Sequence, residues 1–161
     1  MYKKILVPVD GSPSSKLAYW EALELAKLTN AEIVLLQVAY DVDYYSRKGV
    51  LFAQNYYDKS TNKSNSATIL SEIRQDVDEG DVKITELIVF GDPARKIIYE
   101  ASKSDYDLIV MGSRGNGPFK GAVLGSVSLR VLTGGNRPVL IVKDPHERIK
   151  NDDSTITVSW T

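Results

Sequence analysis

The chain has 161 residues, which fits a single domain large enough to bury a core without disulfides or a structural metal. Lys and Arg number 20 and Asp and Glu number 21, so the net charge of -1 gives no electrostatic case for a nucleic-acid or membrane partner. The sequence has no cysteine, which excludes disulfides, thiol catalysis and cysteine metal sites and agrees with a reducing compartment.

The first predicted element is a strand, because the β-branched run at residues 4–9 ends in the turn sequence Asp-Gly-Ser-Pro. This run is too short for a secretory signal, and no later run approaches a membrane-spanning length, so we expect a cytoplasmic protein. Ser12 is placed to cap the following helix, and Pro13 suits its first turn. The predicted buried face of this helix consists of Leu17, Ala18, Ala22, Leu25 and Leu28.

A second strand is predicted at residues 31–38, where a continuous apolar run is typical of a parallel strand covered on both sides. Residues 41–65 lose this periodicity, which is typical of an irregular insertion, either mobile or packed, or of a functional lid. The helix predicted after this segment stops near Gly80. Its apolar face consists of Ile69, Leu70, Ile73 and Val77.

The second half of the chain predicts three more strands, at residues 82–90, 107–111 and 138–142. Asp92 follows the first of them as the cap of a helix, and another helix reaches about Thr133. Five strands separated by helices imply right-handed crossovers. We therefore predict a Rossmann-like α/β fold, a five-stranded parallel sheet with helices on both faces.

A glycine-rich stretch, residues 112–128, joins the fourth strand to its helix. A strand, a glycine turn and a helix start gather unpaired N–H groups and the positive end of a helix dipole, which attract phosphate. Gly112, Gly115 and Gly125 are expected to adopt positive φ and to let an anion approach without an intervening Cβ. Composition alone is equally consistent with an ordinary flexible loop. The hydroxyl donors beside these glycines are Ser126 and Ser128.

Neither of two standard nucleotide motifs fits this stretch. A Walker loop needs Lys and then Ser or Thr after its last glycine, whereas Gly117 is followed by Pro and Gly125 by Ser. A dinucleotide fingerprint needs a strand, a helix and a strand beyond it, and only one core strand follows. If the first and fourth strands are neighbours, the loops at Asp10 and Gly112 face one another where the winding reverses, which is where ligands of such sheets bind.

Two stretches carry a family resemblance. Residues 7–12 read Val-Pro-Val-Asp-Gly-Ser, and a Gly-x2-Gly-x9-Gly-Ser spacing is formed by Gly112, Gly115, Gly125 and Ser126. Both resemble motifs of the universal stress protein family, and the likeness runs from about residue 2 to residue 143. It implies an adenine nucleotide alpha hydrolase-like fold that binds ATP, AMP or another adenine nucleotide, and a homodimer formed by pairing residues 138–142 of two copies.

The resemblance also implies which residues hold the nucleotide. The phosphates and ribose would be held by Gly112, Gly115, Gly125, Ser126 and Ser128. The adenine and ribose side would be lined by Pro8, Val9, Asp10 and Val38, with Met111 and Val127 at the border. Arg114 could neutralise phosphate charge or face solvent. Asp10 could hold magnesium through the nucleotide, or it could only shape its own turn.

No catalytic residue is predicted. The only histidine, His146, lies beyond the core in a polar segment, and no general base with a metal ligand set is evident. We therefore expect a stress-response or regulatory module with little or slow ATP hydrolysis. One alternative is a dimerising partner-binding module without nucleotide function. Another is an ATP-cleaving adenylating enzyme, but residues 10–15 lack the second Gly and the internal Asp of its Ser-Gly-Gly-x-Asp-Ser loop.

The tail at residues 144–161 lies outside the predicted nucleotide-binding domain of residues 1–143. Its end alternates Ser and Thr with three apolar residues, which is the period of a half-buried strand. Disorder is the alternative, as is strand addition to a partner chain. If the tail covers the edge of the last strand, the homodimer is in doubt. The three apolar residues are Ile156, Val158 and Trp160.

Overall fold

The computed structural model describes residues 1–39, 59–103, 105–115 and 124–145. Most of the predicted insertion or lid lies outside these ranges, and so does the tail from His146 onward. Residues 116–123, in the middle of the glycine-rich stretch, also lie outside them. The described ranges contain every predicted strand of the sheet.

Strands and helices alternate along the described chain. The strands are β1 (Lys4–Val9), β2 (Glu32–Ala39), β3 (Ile84–Phe90), β4 (Leu108–Gly112) and β5 (Val139–Val142). The helices are α1 (Pro13–Thr29), α2 (Lys59–Arg74), α3 (Pro93–Lys103) and α4 (Ser126–Gly134). The predicted strands are confirmed, with ends that move by no more than two residues.

The sheet has the order β3-β2-β1-β4-β5, and every neighbouring pair of strands is parallel. The predicted five-stranded parallel sheet is therefore confirmed. From β1 the chain winds outward to β3, and it then crosses back to β4 on the other side of β1. The winding direction reverses between β1 and β4, which is where sheets of this kind open a crevice.

Helices cover both faces of the sheet, as predicted. Side chains alternate between the faces along each strand, so each face carries its own apolar cluster. Ile5, Val7 and Leu35 pack with α1 and α2 on one face. Leu6 and Leu36 pack with α3 and α4 on the other face. The central strands are apolar without interruption because both of their faces are buried.

The start of α1 is as predicted, and its buried face is partly so, since Ala18 and Ala22 are buried and Leu25 packs against the core. The hydroxyl oxygen of Ser12 accepts a hydrogen bond from the N–H of Ser15 at 3.2 Å, and Pro13 is the first helical residue. Leu28, predicted to be buried, is 82% exposed. The leucines of α1 lie on several sides of the helix, which leaves the direction of the apolar face undetermined from the sequence. The stripe that is buried consists of Ser14, Ser15, Ala18, Tyr19, Ala22, Leu23 and Ala26.

The end of α2 also differs from the prediction, since the helix stops at Arg74 and not near Gly80. A polar network takes the place of a further helical turn. Tyr19 donates a hydrogen bond to Glu79 at 2.6 Å, and Arg74 donates to both oxygens of the same carboxylate at 2.7 Å. Burial, together with the Glu79 carboxylate, raises the pKa of Tyr19 well above its ordinary value, so the hydroxyl stays a donor. The segment that follows α2 places Glu79 in contact with both Tyr19 and Arg74.

Asp92 links the start of α3 to the middle of α4. Its Oδ1 accepts a hydrogen bond from the N–H of Arg95 at 2.9 Å, which confirms the predicted cap. Arg130 of α4 donates to both oxygens of Asp92, at 3.1 and 2.9 Å. Burial opposes the ionisation of Asp92, but the hydrogen bonds from Arg130 and Arg95 outweigh it and hold the pKa of this carboxyl below its ordinary value. The pair therefore fixes α4 against α3 in its ionised form.

Replacing Asp92 by asparagine keeps a capping oxygen but removes the charge. Because the folded-state pKa of Asp92 is lowered, its stabilisation is fully present above about pH 4 and is lost as the pH falls through the folded value. We expect D92N to lower the free energy of unfolding by roughly 0.5–1 kcal/mol at neutral pH, since Arg130 is half exposed. Urea denaturation at pH 7 and pH 3 measures the difference, which should be smaller at pH 3.

The matched control for D92N is E24Q, because Glu24 pairs with Lys27 on the exposed side of α1 at 3.1 Å. Exposed pairs of this spacing contribute only about 0.3–0.5 kcal/mol. E24Q should therefore be close to the unsubstituted protein at both pH values. A destabilisation by D92N that is as large at pH 3 as at pH 7 would contradict the assigned ion pair.

Candidate functional site

The loops after β1 and β4 lie side by side at the carboxyl edge of the sheet. β1 pairs directly with β4, with Ile5 opposite Leu108 and Leu6 opposite Ile109. The crevice was predicted on the condition that the first and fourth strands are neighbours, and this condition is confirmed. Two long polar contacts join the loops. The Ser12 hydroxyl donates to the carbonyl oxygen of Arg114 at 3.5 Å, and the N–H of Arg114 donates to the hydroxyl oxygen of Ser14 at 3.5 Å.

The β1 loop is built around the carboxylate of Asp10. Its Oδ1 accepts a hydrogen bond from the N–H of Ser12 at 2.9 Å, which shapes the turn as expected for an aspartate in this position. Gly11 adopts a φ of 81°, a conformation that side chains disfavour. The other oxygen of Asp10, Oδ2, lies only 2.5 Å from the position that a Cβ on Gly115 would occupy. One carboxylate thus borders both loops.

The described ends of the β4 loop are drawn together by backbone hydrogen bonds. The N–H of Ser113 donates to the carbonyl oxygen of Val142 at 2.8 Å, and the N–H of Gly125 donates to the carbonyl oxygen of Ser113 at 2.7 Å. A Cβ on Gly125 would lie 3.6 Å from the backbone nitrogen of Gly115. The two glycines therefore meet where the β4 loop leads into α4.

The predicted reason for the motif glycines is partly wrong. Positive φ angles occur at Gly11, Gly80 and Gly91 among the described glycines, and not at Gly112, Gly115 or Gly125. Glycine is required instead by close contacts within the chain. A Cβ on Gly112 would lie 2.8 Å from the backbone carbonyl carbon of Ser14, and one on Gly115 would meet Asp10. The absence of a Cβ at Gly112 lets the start of α1 and the end of β4 approach each other, and its absence at Gly115 leaves room for Asp10.

The two helices that begin at the crevice differ in their capping. The hydroxyl of Ser12 caps α1. The cap residue of α4 is Gly125, which has no side chain to offer, and Ser126 is the exposed first residue of the helix. The first-turn N–H groups of a helix need partners from outside the helix, and an anion is a suitable one. The start of α4 is therefore the better of the two places for a phosphate.

The remaining predicted site residues fall into two groups. Val38, Met111 and Val127 belong to the apolar cluster on the α3 and α4 face, and Pro8 is buried at the same end of the sheet. Val9 packs with α1 and α2 on the opposite face, so its side chain is separated from that group by the sheet. Val9 could therefore contribute to a ligand site on the α3 and α4 face through its backbone.

Ser128 is placed to hold the loop in position. Its side chain is buried, and the hydroxyl donates a hydrogen bond to the carbonyl oxygen of Gly112 at 2.9 Å. Sequence analysis did not identify Ser14 and Ser113, which are also buried and fasten α1 and β5 to the end of β4. Their role follows from the packing of α1 on β4, and no local pattern in the sequence indicates it.

A second concave surface, of about 890 Å³, lies at the opposite, amino edge of the sheet. It is lined by side chains of both charges that pair with one another, such as Glu32 with Lys4 at 3.5 Å and with Lys83 at 2.7 Å. The carboxyl edge remains the candidate for the functional site, because ligands of doubly wound sheets bind where the winding reverses. Along the described ranges, no three potential ligand residues gather as they would around a metal ion.

The fold and the candidate site define the class of this protein, which is a doubly wound parallel α/β domain with a glycine-lined crevice. Within the described parts, no helix has the length and apolar character needed to cross a membrane. A model of the universal stress protein family matches residues 1–143. The chain belongs to the universal stress protein family, which confirms the resemblance seen in its motifs.

Two relatives are similar to almost the whole chain. Universal stress protein MJ0531 of Methanocaldococcus jannaschii is 35% identical over 147 residues, which cover 90% of this chain and 84% of the relative. Universal stress protein YxiE of Bacillus subtilis is 34% identical over 148 residues, which cover 89% of this chain and 100% of the relative. The likeness to each relative therefore extends over about nine tenths of this chain.

Solved structures show the same architecture. The structure of MJ0577 from Methanocaldococcus jannaschii has a TM-score of 0.75 and 30% identity, and it covers 91% of this chain and 99% of that one. A universal stress protein solved in complex with cAMP has a TM-score of 0.66 at 24% identity, with coverage of 88% and 97%. One from Archaeoglobus fulgidus in complex with dAMP has a TM-score of 0.60 at 22% identity, with coverage of 88% and 98%.

Proposed function

We propose that this chain binds an adenine nucleotide, with ATP the first candidate, at the crevice between the β1 and β4 loops. The observation that carries the proposal is the start of α4, which has a glycine cap and lies beside the glycine loop at the reversal of the sheet. Backbone N–H groups and the helix dipole favour a phosphate there. We propose that the protein acts as a cytoplasmic regulatory module of the stress response.

The proposed contacts follow the geometry. The phosphates lie against the first turn of α4, at Gly125 and Ser126, and against the backbone of Gly115. The adenine and ribose lie toward the end of β2, near Val38 and the buried Pro8. Gly112 and Ser128 position this loop without touching the ligand. Both residues are buried, and the Ser128 hydroxyl donates a hydrogen bond to the Gly112 carbonyl oxygen. Arg114, partly buried beside Gly115, is the proposed cationic partner of the phosphates.

Asp10 is the proposed bridge to magnesium. One carboxylate oxygen shapes the β1 turn, and the other borders Gly115, where the phosphates would pass. A magnesium ion held between Asp10 and the phosphates would relieve the repulsion of the two anions. Little or slow hydrolysis is proposed, because Asp10 already serves the turn and is therefore poorly suited to act as a mobile general base.

The complexes with cAMP and dAMP support the choice of an adenine nucleotide. Both ligands were found in proteins that share the fold of this chain, and both contain an adenine base and a phosphate. They differ in the number and closure of the phosphates, so the crevice of this fold is compatible with more than one adenine nucleotide. This is the reason to compare ATP, AMP and cAMP directly.

Thermal unfolding of ligand-stripped protein tests the proposal, with ATP and magnesium, AMP and cAMP added separately. A ligand at about a hundred times its dissociation constant stabilises the fold by roughly 2.7 kcal/mol. For a domain of this size we expect the midpoint to rise by roughly 5–11 °C. A rise with ATP alone would indicate a triphosphate-binding switch. No rise with any nucleotide would contradict the proposal and favour the dimerising partner-binding module.

We also propose that the outer edge of β5 can pair two copies into the homodimer implied by the family resemblance. Among the described strands, none lies beyond β5. An open edge presents unpaired N–H and C=O groups to another strand. Leu140, in the middle of this strand, is 41% exposed. The dimer can form only while no other segment of the chain covers this edge.

A further inference from the structure

The edge of β5 is continuous with an exposed apolar side of α4. Leu129 and Leu132 are 49% and 45% exposed, although they lie one turn apart on a helix that packs on the sheet. Val131, between them in sequence, is fully buried in the core. We call Leu129, Leu132 and the outer edge of β5 the edge surface. Apolar side chains beside an open strand edge form a surface that an added strand can cover.

The contacts of α4 define the direction in which these leucines point. Arg130 reaches Asp92 at the start of α3, and a Cβ on Gly134 would lie 3.2 Å from Ile98 of the same helix. Arg130 and Gly134 therefore mark the side of α4 that faces α3. At about 100° of rotation per residue, Leu129 and Leu132 both project away from that side of the helix.

The layers of the fold place that other side toward β5. α3 packs over β2, toward one end of the strand order. Val131 of α4 belongs to the apolar cluster against which Val139 and Ile141 of β5 pack, at the other end of the strand order. The direction from α3 to α4 therefore runs toward the outer edge of β5. An added strand along β5 would place every second side chain beneath Leu129 and Leu132.

The sequence contains a segment with this pattern after β5. Residues 154–160 alternate Ile156, Val158 and Trp160 with Ser and Thr, and they contain no charged residue. Eleven residues, 143–153, connect them to the end of β5. At about 3.3 Å per extended residue, this connection is long enough to reverse the chain and return along the strand. A strand that returns in this way runs antiparallel to its neighbour.

We propose that residues 154–160 add to the outer edge of β5 as an antiparallel strand, with their apolar residues under Leu129 and Leu132. The tail then occupies the edge that a second copy would need. The full chain is therefore a monomer, and release of the tail permits the homodimer. The family model ends at residue 143, so this device belongs to the extension of this chain. It does not depend on nucleotide binding.

Tryptophan fluorescence of the full chain tests the position of the tail. Trp20 and Trp160 are the two tryptophans, so W20F leaves Trp160 as the single emitter. We expect blue-shifted emission from Trp160, and a red shift when L132E is added. The matched control is T133E, an equally exposed change on α4 outside the edge surface. Solvent-like emission from Trp160, or emission that L132E leaves unchanged, would overturn the proposal.

Light scattering tests the competition for the edge. We expect the mass of the full chain to be that of a monomer, and V158K to double it by releasing the tail. T157K places the same charge on the opposite face of the tail strand and should leave the protein monomeric. A full chain that is already a dimer, or a V158K variant that stays monomeric, would overturn the proposed control of assembly by the tail.

Discussion

Replacing Gly115 by valine is expected to lower the affinity for the preferred adenine nucleotide roughly 100-fold, which corresponds to about 2.7 kcal/mol. A Cβ at this position would lie 2.5 Å from Oδ2 of Asp10, and the two methyl groups of valine would extend into the proposed path of the phosphates. The ligand-dependent rise of the unfolding midpoint should therefore disappear in G115V. Isothermal titration calorimetry would measure the loss of affinity directly.

The fold of G115V should remain intact. Gly115 is exposed, its φ is not positive, and the atom that its Cβ would meet is the end of an aspartate side chain that can rotate. We expect a change of stability within about 0.5 kcal/mol, as for most surface substitutions. G115A is the graded control, since it disturbs Asp10 without the valine branches and should lose part of the affinity. Unchanged nucleotide affinity in G115V would remove the central claim.

Replacing Gly112 by alanine is expected to have the opposite profile, a large loss of stability. The added Cβ would lie 2.8 Å from the backbone carbonyl carbon of Ser14, at a buried position where the end of β4 meets the start of α1. Backbone cannot rotate away, so α1 must shift. Overpacking of this kind costs about 1–3 kcal/mol. The unfolding midpoint should fall by roughly 2–12 °C.

A second substitution separates the two sources of this strain. S14G removes the side-chain atoms of Ser14 that crowd the new Cβ but leaves the carbonyl carbon in place. The double variant, G112A with S14G, should therefore recover part of the lost stability and not all of it. Urea denaturation of both variants measures the recovery. A G112A variant as stable as the unsubstituted protein would contradict the assigned contact between β4 and α1.

The contrast between these two glycines bears on how the motif is interpreted. Both occupy fixed positions in the same spacing, but Gly112 meets the backbone of α1 and Gly115 meets one side chain at the mouth of the crevice. The first is therefore required for packing, and the second is proposed to admit the ligand. A motif of this kind combines structural and binding requirements, and only separate measurements of stability and affinity can distinguish them.

The sequence alone predicted the strands, the sheet type and the two loops of the crevice. Local signals were sufficient, because a strand buried on both faces is apolar without interruption and because a cap such as Ser12 or Asp92 acts within one turn. The glycine spacing also lies within one contiguous stretch. For the same reason, membership of the family could be inferred from residues 7–12 and the glycine motif, and the family match confirms it.

The tertiary structure decided what depends on residues far apart in the chain. Leu28 is exposed and Tyr19 buried because of the side that α1 turns to the sheet, which the spread of leucines around this helix does not define. α2 ends at Arg74, which pairs with Glu79 in the segment that follows the helix. Gly112 is glycine because Ser14 lies against it, and not because of its own φ. Such contacts depend on how packed elements are aligned. That alignment cannot be predicted from the periodicity of a single element.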